Sequence, residues 1–182
     1  MSLNDWFDKG LTKEAYMERL DKHKESFHHI RNTFSIPEAD KAQFNDVQHV
    51  KAIILAAEWC GHCMLDIPIY LHIAEVANIP TRFLIRDDHL ELMDRYLTNE
   101  KRYIPMFIFI DDKGNELGTW GPWAPEVNEF TEELKKDLPP RDSDQYEEAF
   151  QQYIKRVSES FRQDDEIWNY VYNDMKKTIL SL

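Results

Sequence analysis

Apolar positions along this chain follow two periodicities, and their alternation outlines an architecture. Val50 to Ala57 is an almost uninterrupted apolar run of strand length, the pattern of a strand buried on both faces. Thr81 to Ile85 and Met106 to Ile110 read as a second and third strand. The turn residues Asp111-Asp112-Lys113-Gly114-Asn115 join the third to Glu116 to Trp120, so the last two strands are expected to form a hairpin.

Between and around these runs the spacing changes to three and four residues. Tyr16, Leu20, His23, Phe27, Ile30 and Phe34 predict one long amphipathic helix that starts at a Thr12 N-cap. Pro37 suits the first turn of a short helix carrying Ala39, Ala42, Phe44 and Val47. From Met64 to Val76 the chain is apolar around most of a helical circumference, which predicts a central helix, and Pro68 is expected to kink it. Asp88 to Leu97 and Ala124 to Leu138 read as helices, the second ended by Pro139-Pro140. Two closing helices carry Tyr146, Phe150, Tyr153, Val157 and Phe161, then Ile167, Trp168, Val171, Met175 and Ile179. Asp142 with Gln145 resembles a capping box before the first. A strand, helix, strand order implies a right-handed parallel crossover, and with the hairpin the sheet is mixed, an α/β arrangement.

Composition narrows the partners. With 34 acidic and 22 basic residues in 182, the formal charge of −12 disfavours a nucleic-acid backbone or an anionic membrane surface. The length fits one domain, residues 1–182, able to bury a core without disulfides or structural metal. The first residues show no signal-peptide pattern and no run approaches the ~20 apolar residues of a membrane span, so a soluble, cytoplasmic protein is expected. In that reducing compartment persistent structural disulfides are rare.

The only two cysteines, Cys60 and Cys63, stand two residues apart, after the first strand and before the central helix. Two thiols at this spacing close a small ring through one S–S bond. A helix starting at the first would direct its free N–H groups at a thiolate and make it a good nucleophile. A tetrahedral metal site would need two further ligands; His28, His29 and His72 are scattered on predicted helices, so no metal is expected.

Trp59-Cys60-Gly61-His62-Cys63 at a strand-to-helix junction, Pro68 five residues on, and Ile104-Pro105 before the third strand together resemble the thioredoxin superfamily. The resemblance covers roughly 37–138, with helical extensions over 1–36 and 139–182. It implies a thioredoxin fold with a central four- to five-stranded mixed sheet. It implies Cys60 as the attacking thiol, Cys63 as the resolving thiol, no cofactor beyond this pair, disulfide-bearing protein substrates, and a recycling reductant, either a reductase or a low-molecular-weight thiol. A cis bond before Pro105 would present the Ile104 backbone to substrate, flanked by Trp59 and the loop Trp120-Gly121-Pro122-Trp123. Where reducing thioredoxins usually carry Pro, this chain has His62, as the disulfide isomerases do. An imidazolium there would favour the dithiol and move the potential from about −270 mV towards about −180 mV. The family's buried acid six residues before the first cysteine is absent, since that position is Ile54. Asp66, Glu58 or water is then expected to take the proton of Cys63. Arg86-Asp87-Asp88 reads simply as a helix cap, and Trp6, Phe7, Phe161, Trp168, Tyr170 and Tyr172 as packing groups. Two alternatives stand beside the enzyme reading: a redox-sensitive adaptor, and a reductase of low-molecular-weight mixed disulfides that uses Cys60 alone.

Overall fold

The computed structural model describes residues 1–182. Three short helices open the chain, α1 (Leu3–Lys9), α2 (Lys13–Glu18) and α3 (Lys24–Thr33). Helix α4 (Glu38–Lys41) runs into a 3₁₀ turn over Ala42–Asp46 and leads to β1 (Lys51–Ala56). Helix α5 (Gly61–Val76) and β2 (Thr81–Ile85) follow, then a 3₁₀ turn over Arg86–Asp88 and α6 (Leu90–Met93). Strands β3 (Met106–Ile110) and β4 (Glu116–Trp120) form the hairpin, and α7 (Pro125–Lys135), α8 (Tyr146–Gln163) and α9 (Asp165–Ile179) close the chain.

The sheet has four strands in the order β2-β1-β3-β4, with β1 parallel to β2 and antiparallel to β3. This is the mixed sheet expected from the sequence. Strand β1 is interior, and every residue in it except Lys51 is buried, which explains its continuous apolarity. On the outer edge of β2, Leu11 makes one antiparallel bridge to Phe83, with N–H···O distances of 2.8 and 2.9 Å. That single bridge is all the fifth strand amounts to, and it shields part of an otherwise open edge.

Helix α5 is buried around most of its circumference because it is packed on several sides. Tyr70 lies against Phe107 and Phe109 of β3, while α3, α8 and α9 pack on the same helix. Pro68 lies inside α5 and is buried. One buried hydrophobic cluster runs through the sheet, α5 and the terminal helices.

Three helical expectations are corrected, and one further helix is found. The predicted Thr12 to Phe34 helix breaks over 19–23, although Thr12 does cap α2 by accepting from the Ala15 N–H at 3.2 Å. Tertiary contacts win there: Leu20 is buried, Arg19 pairs with Glu58 at 3.2 Å, and His23 Nε2 bonds the Trp59 carbonyl at 3.1 Å. The Asp88 to Leu97 helix shrinks to a 3₁₀ turn and one helical turn. Its backbone is instead tied down by Arg86 donating to the Arg102 carbonyl and by the Arg102–Asp94 pair. No capping box forms at α8, whose N-cap Gln145 makes no side-chain cap bond. Helix α1 was not anticipated, although its signals were present: a Ser2/Asp5 capping box and buried Leu3, Trp6 and Phe7 on one face.

Candidate active site

Cys60 is the N-cap of α5, and its sulfur accepts from the Cys63 N–H at 3.3 Å. The Cys60 thiol also donates to the Ile104 carbonyl at 3.4 Å, and the Ile104–Pro105 peptide is cis as expected. The sulfur is therefore set between a helix N-terminus and the segment entering β3. Cys60 is 8% exposed and Cys63 only 1%.

The two thiols are pushed in opposite directions. The Cys60 pKa is lowered, chiefly by a hydrogen bond from the Cys63 thiol, then by the backbone N–H groups of Cys63 and His62 and the positive charge of Arg86. Burial raises the Cys63 thiol, and the hydrogen bond to Cys60 and the negative charge there add to the effect. One thiol is poised to ionise first, the other to keep its proton until its partner has reacted.

Beneath the pair the protein is closed and acid-bearing. Asp66 on α5 is fully buried, and neither of its carboxylate oxygens has a hydrogen-bond partner. Burial drives its pKa well above the carboxylate range, with a further push from negative charge on Cys60, and Asp66 in turn raises Cys63. Ile54, at the family's usual acid position, is completely buried in β1. Tyr16, from α2, also carries a buried hydroxyl without a partner; burial raises its pKa, and negative charge on Cys63, Cys60 and Glu58 adds to the effect. Sequence reasoning read Tyr16 only as a helix-packing position, which its stacking on Phe83 at 4.5 Å also satisfies. Glu58 is engaged in its pair with Arg19 at 3.2 Å.

Above the pair lies a cleft of about 840 Å³. Trp59, Gly61, His62 and Ile104 border Cys60 in it, and Trp59 is 50% exposed with the Arg86 guanidinium 4.7 Å from its ring. Arg86 thus does more than cap a turn. The lining includes the face of α8 carrying Tyr153, Val157 and Phe161, together with Thr98, Asn99 and Tyr103 from the segment before β3. Lys22 and His23 reach the rim from the break between α2 and α3, which is why that break matters to the site. No sequence motif marks these residues. The available signal was the set of apolar positions on α8 next to small Ser158, which could be read only as packing.

Two expected site residues are corrected. His62 is not an imidazolium beside a thiolate: its ring sits 5.3 Å from Trp123 and 5.0 Å from Phe161, and its buried Nδ1 has no partner. Burial, with Lys135 nearby, lowers its pKa to about 4, so it is neutral at pH 7. Trp120, expected to flank the substrate groove, does not line the cleft. It is 5% exposed, packs edge-on against Phe107, and donates from Nε1 to Asp174 of α9 at 2.7 Å. Trp123 is the tryptophan of that loop which lines the cleft. Gly121 lies behind it. Its φ is +124° and a Cβ would stand 2.3 Å from the Pro105 carbonyl oxygen, so only glycine lets the loop press against Pro105.

A family model described as thioredoxin matches residues 10–135, more than two thirds of the chain. The chain belongs to the thioredoxin family. The match begins before the Pro37 limit of the resemblance seen in the sequence, so α2 and α3, which bring Lys22 and His23 to the site, fall within the thioredoxin match. No curated protein matches the chain. Among solved structures it is similar to a Pseudomonas aeruginosa protein of unknown function, with a TM-score of 0.64 and 14% identity, over 96% of this chain and 99% of that one. An HIV epitope-scaffold is similar to the same degree, with a TM-score of 0.63 and 14% identity over 95% and 99% of the two chains. At that identity the likeness concerns fold. It does extend over the C-terminal helices, so a thioredoxin core with this helical surround is a recurrent arrangement. No helix is long and apolar enough to cross a membrane.

Proposed function

We propose that this protein is a thiol–disulfide oxidoreductase in which Cys60 attacks and Cys63 resolves. The observation that carries this reading is the opposed tuning of two adjacent thiols, one lowered at a helix N-terminus and one raised in a closed apolar interior. Cys60 thiolate attacks a substrate disulfide, a new S–S bond forms at Cys60, and one substrate sulfur leaves as thiolate. Cys63 then loses its proton and attacks the Cys60 sulfur. The second substrate thiolate leaves, and the protein has passed two electrons to substrate and holds a Cys60–Cys63 disulfide.

The proton of Cys63 goes to Asp66 in this mechanism. While Cys60 is anionic its charge helps hold Asp66 protonated. Once Cys60 is tied up in a mixed disulfide that charge is gone. The carboxyl then gives up its own proton to solvent more readily, and the carboxylate so formed accepts the Cys63 proton as that thiol attacks. A dithiol resting state suits the reducing, cytoplasmic setting expected from the sequence, where a reductase or small thiol recycles the pair.

The test is direct. Reduced protein mixed with a disulfide-linked peptide is expected to release two peptide thiols per Cys60–Cys63 disulfide formed, read by mass spectrometry. Cys63→Ser should stop at one peptide attached to Cys60. Attachment at Cys63 in a Cys60→Ser protein at a comparable rate, or no reaction at Cys60, would overturn the assignment.

A further inference from the structure

Resting on that reading, we infer that the cleft over Cys60 is a binding site for small anionic thiols and disulfides, so the exchange partner is a low-molecular-weight disulfide bearing carboxylates. Three observations converge on this class.

The first is shape. Cys60 lies on the floor of a cavity of about 840 Å³, within the size range of small-molecule sites. Helix α8 and the 98–104 segment both contribute to its lining. A disulfide must come inside the cleft to meet an 8% exposed sulfur. A small disulfide is of the size to enter such a cavity, whereas one held in a folded protein surface would have to protrude into it.

The second is charge. In a protein of formal charge −12, the lining carries Lys22, Arg86, Arg102 and Lys135 against the single acid Glu132. Glu132 pairs with Lys135, and Arg86 and Arg102 pair with Asp87 and Asp94 at 2.7 and 2.6 Å. Those two aspartates are not part of the lining, and Lys22 has no ion-pair partner. The lining thus holds four cations and one acid, with the partners of Arg86 and Arg102 lying outside it, an excess of positive charge that concentrates anions.

The third is the mixture of surfaces. Trp59, Tyr103, Trp123, Tyr153 and Phe161 give flat apolar surfaces for the aliphatic part of a ligand, and the four cations belong to the same lining. A short thiol with its sulfur on Cys60 and its carboxylate a few bonds away matches both. In the forward step Cys60 thiolate forms an S–S bond with one half of the small disulfide and the other half departs as thiolate. Attack by Cys63 then releases the bound half, so one disulfide becomes two thiols as Cys60–Cys63 is oxidised. Run backwards with the same thiol in excess, these steps return the protein to its dithiol, and the same cleft serves recycling.

Three disulfides of similar length separate charge from size: dithiodipropionic acid, dianionic at pH 7.5; 2-hydroxyethyl disulfide, neutral; and cystamine, dicationic. The quantity to compare is the second-order rate of Cys60–Cys63 formation divided by the rate of the same disulfide with free dithiothreitol, which removes leaving-group differences. We expect normalised rates to fall about tenfold from anion to neutral and again from neutral to cation at low salt. The spread should narrow as ionic strength rises to 0.5 M, because these charges act across a solvated cleft. Lys22→Gln with Lys135→Gln should compress the ratio of anionic to neutral rates at least threefold. Equal normalised rates for all three compounds, or a ratio insensitive to both salt and the double substitution, would overturn the inference while leaving the dithiol mechanism intact. Failure of every disulfide, including oxidised dithiothreitol, to oxidise the pair would instead strike the mechanism itself.

Discussion

The outer and inner sides of the Cys60–Cys63 pair differ in almost every property that controls a thiol. Outside, four basic side chains border the cleft, and backbone N–H groups of α5 point at the Cys60 sulfur. Inside, Cys63 meets apolar residues and two polar groups with no partners, Asp66 and the Tyr16 hydroxyl. The outside stabilises an anion and the inside penalises one. Two identical side chains one helical turn apart therefore differ in how readily each ionises, which is the basis of the roles proposed for them. The contrast shows that directionality in a dithiol depends on where the boundary between these environments falls, more than on the residues between the cysteines.

Removing the inner acid is the strongest way to break this contrast. Asp66→Asn keeps shape and burial but removes the group proposed to accept the Cys63 proton. The step in which Cys63 displaces the mixed disulfide is expected to slow about 100-fold, within the usual range for one general base. The first attack by Cys60 should change less than threefold. Rapid-quench detection of the mixed disulfide checks this, since the intermediate should accumulate only in the variant. Unchanged resolution would assign the proton to water.

The same residue leaves a signature in stability. Asp66 has a folded-state pKa raised above its ordinary value of 3.8, so the folded protein holds that proton more tightly than the unfolded chain. Its contribution is fully present below about pH 3.8 and is lost as pH rises through the raised value. Denaturant midpoints of the wild type, measured upward from pH 4, should fall relative to those of Asp66→Asn. Asp66→Asn should remove that part of the slope and be the more stable protein at neutral pH. His62 titrates in the opposite sense: its pKa is lowered to about 4, so its contribution is present above 6.5 and lost as pH falls through about 4.

Much of the inner side was legible in the sequence, and little of the outer side was. Strands over Thr81–Ile85, Met106–Ile110 and Glu116–Trp120 match their expected limits, because burial on both faces or a tight hairpin leaves a strong local pattern. The Cys pair, Pro105 and the missing acid at Ile54 are local too. Asp66 could be singled out because a charged residue interrupts an apolar helix. The cleft is assembled from segments distant in sequence: the break at 19–23, Arg86, the 98–104 segment and α8. Each looked ordinary alone. Periodicity even misled at the break, where helical spacing continues through residues that turn aside to meet Trp59 and Glu58.

The paired tryptophans of the loop after β4 sharpen the contrast at smaller scale. Trp120→Phe keeps an aromatic ring against Phe107 but loses the Nε1 bond to Asp174. It should cost about 1.5–3 kcal/mol of stability, typical of a hydrogen bond to a charged group, with exchange rates within twofold of wild type. Trp123→Ala should do the reverse. It opens the wall beside His62 and Tyr103, so KM for a small disulfide should rise about fivefold, of the order set by one aromatic contact, with a smaller stability loss than Trp120→Phe. Thermal melts and initial rates on the two proteins decide the matter, and equal behaviour would erase the distinction.

The smallest expected effect is the most informative about the outer side. If His62 acted as an imidazolium, replacing it would move the redox equilibrium strongly, and more so at acid pH. Its ring is instead held neutral between Trp123 and Phe161, and the causes that lower Cys60 are the Cys63 thiol, backbone N–H groups and Arg86. None of these titrates with the imidazole. His62→Ala should therefore shift the equilibrium of Cys60–Cys63 with a glutathione buffer by less than tenfold, under about 30 mV, and by the same amount at pH 5.5 and 7.5. A shift that grows as pH falls through 6.5 would mean that the imidazole is charged in the folded protein. The stabilisation of the Cys60 thiolate would then belong to a side chain rather than to the α5 N-terminus and Arg86.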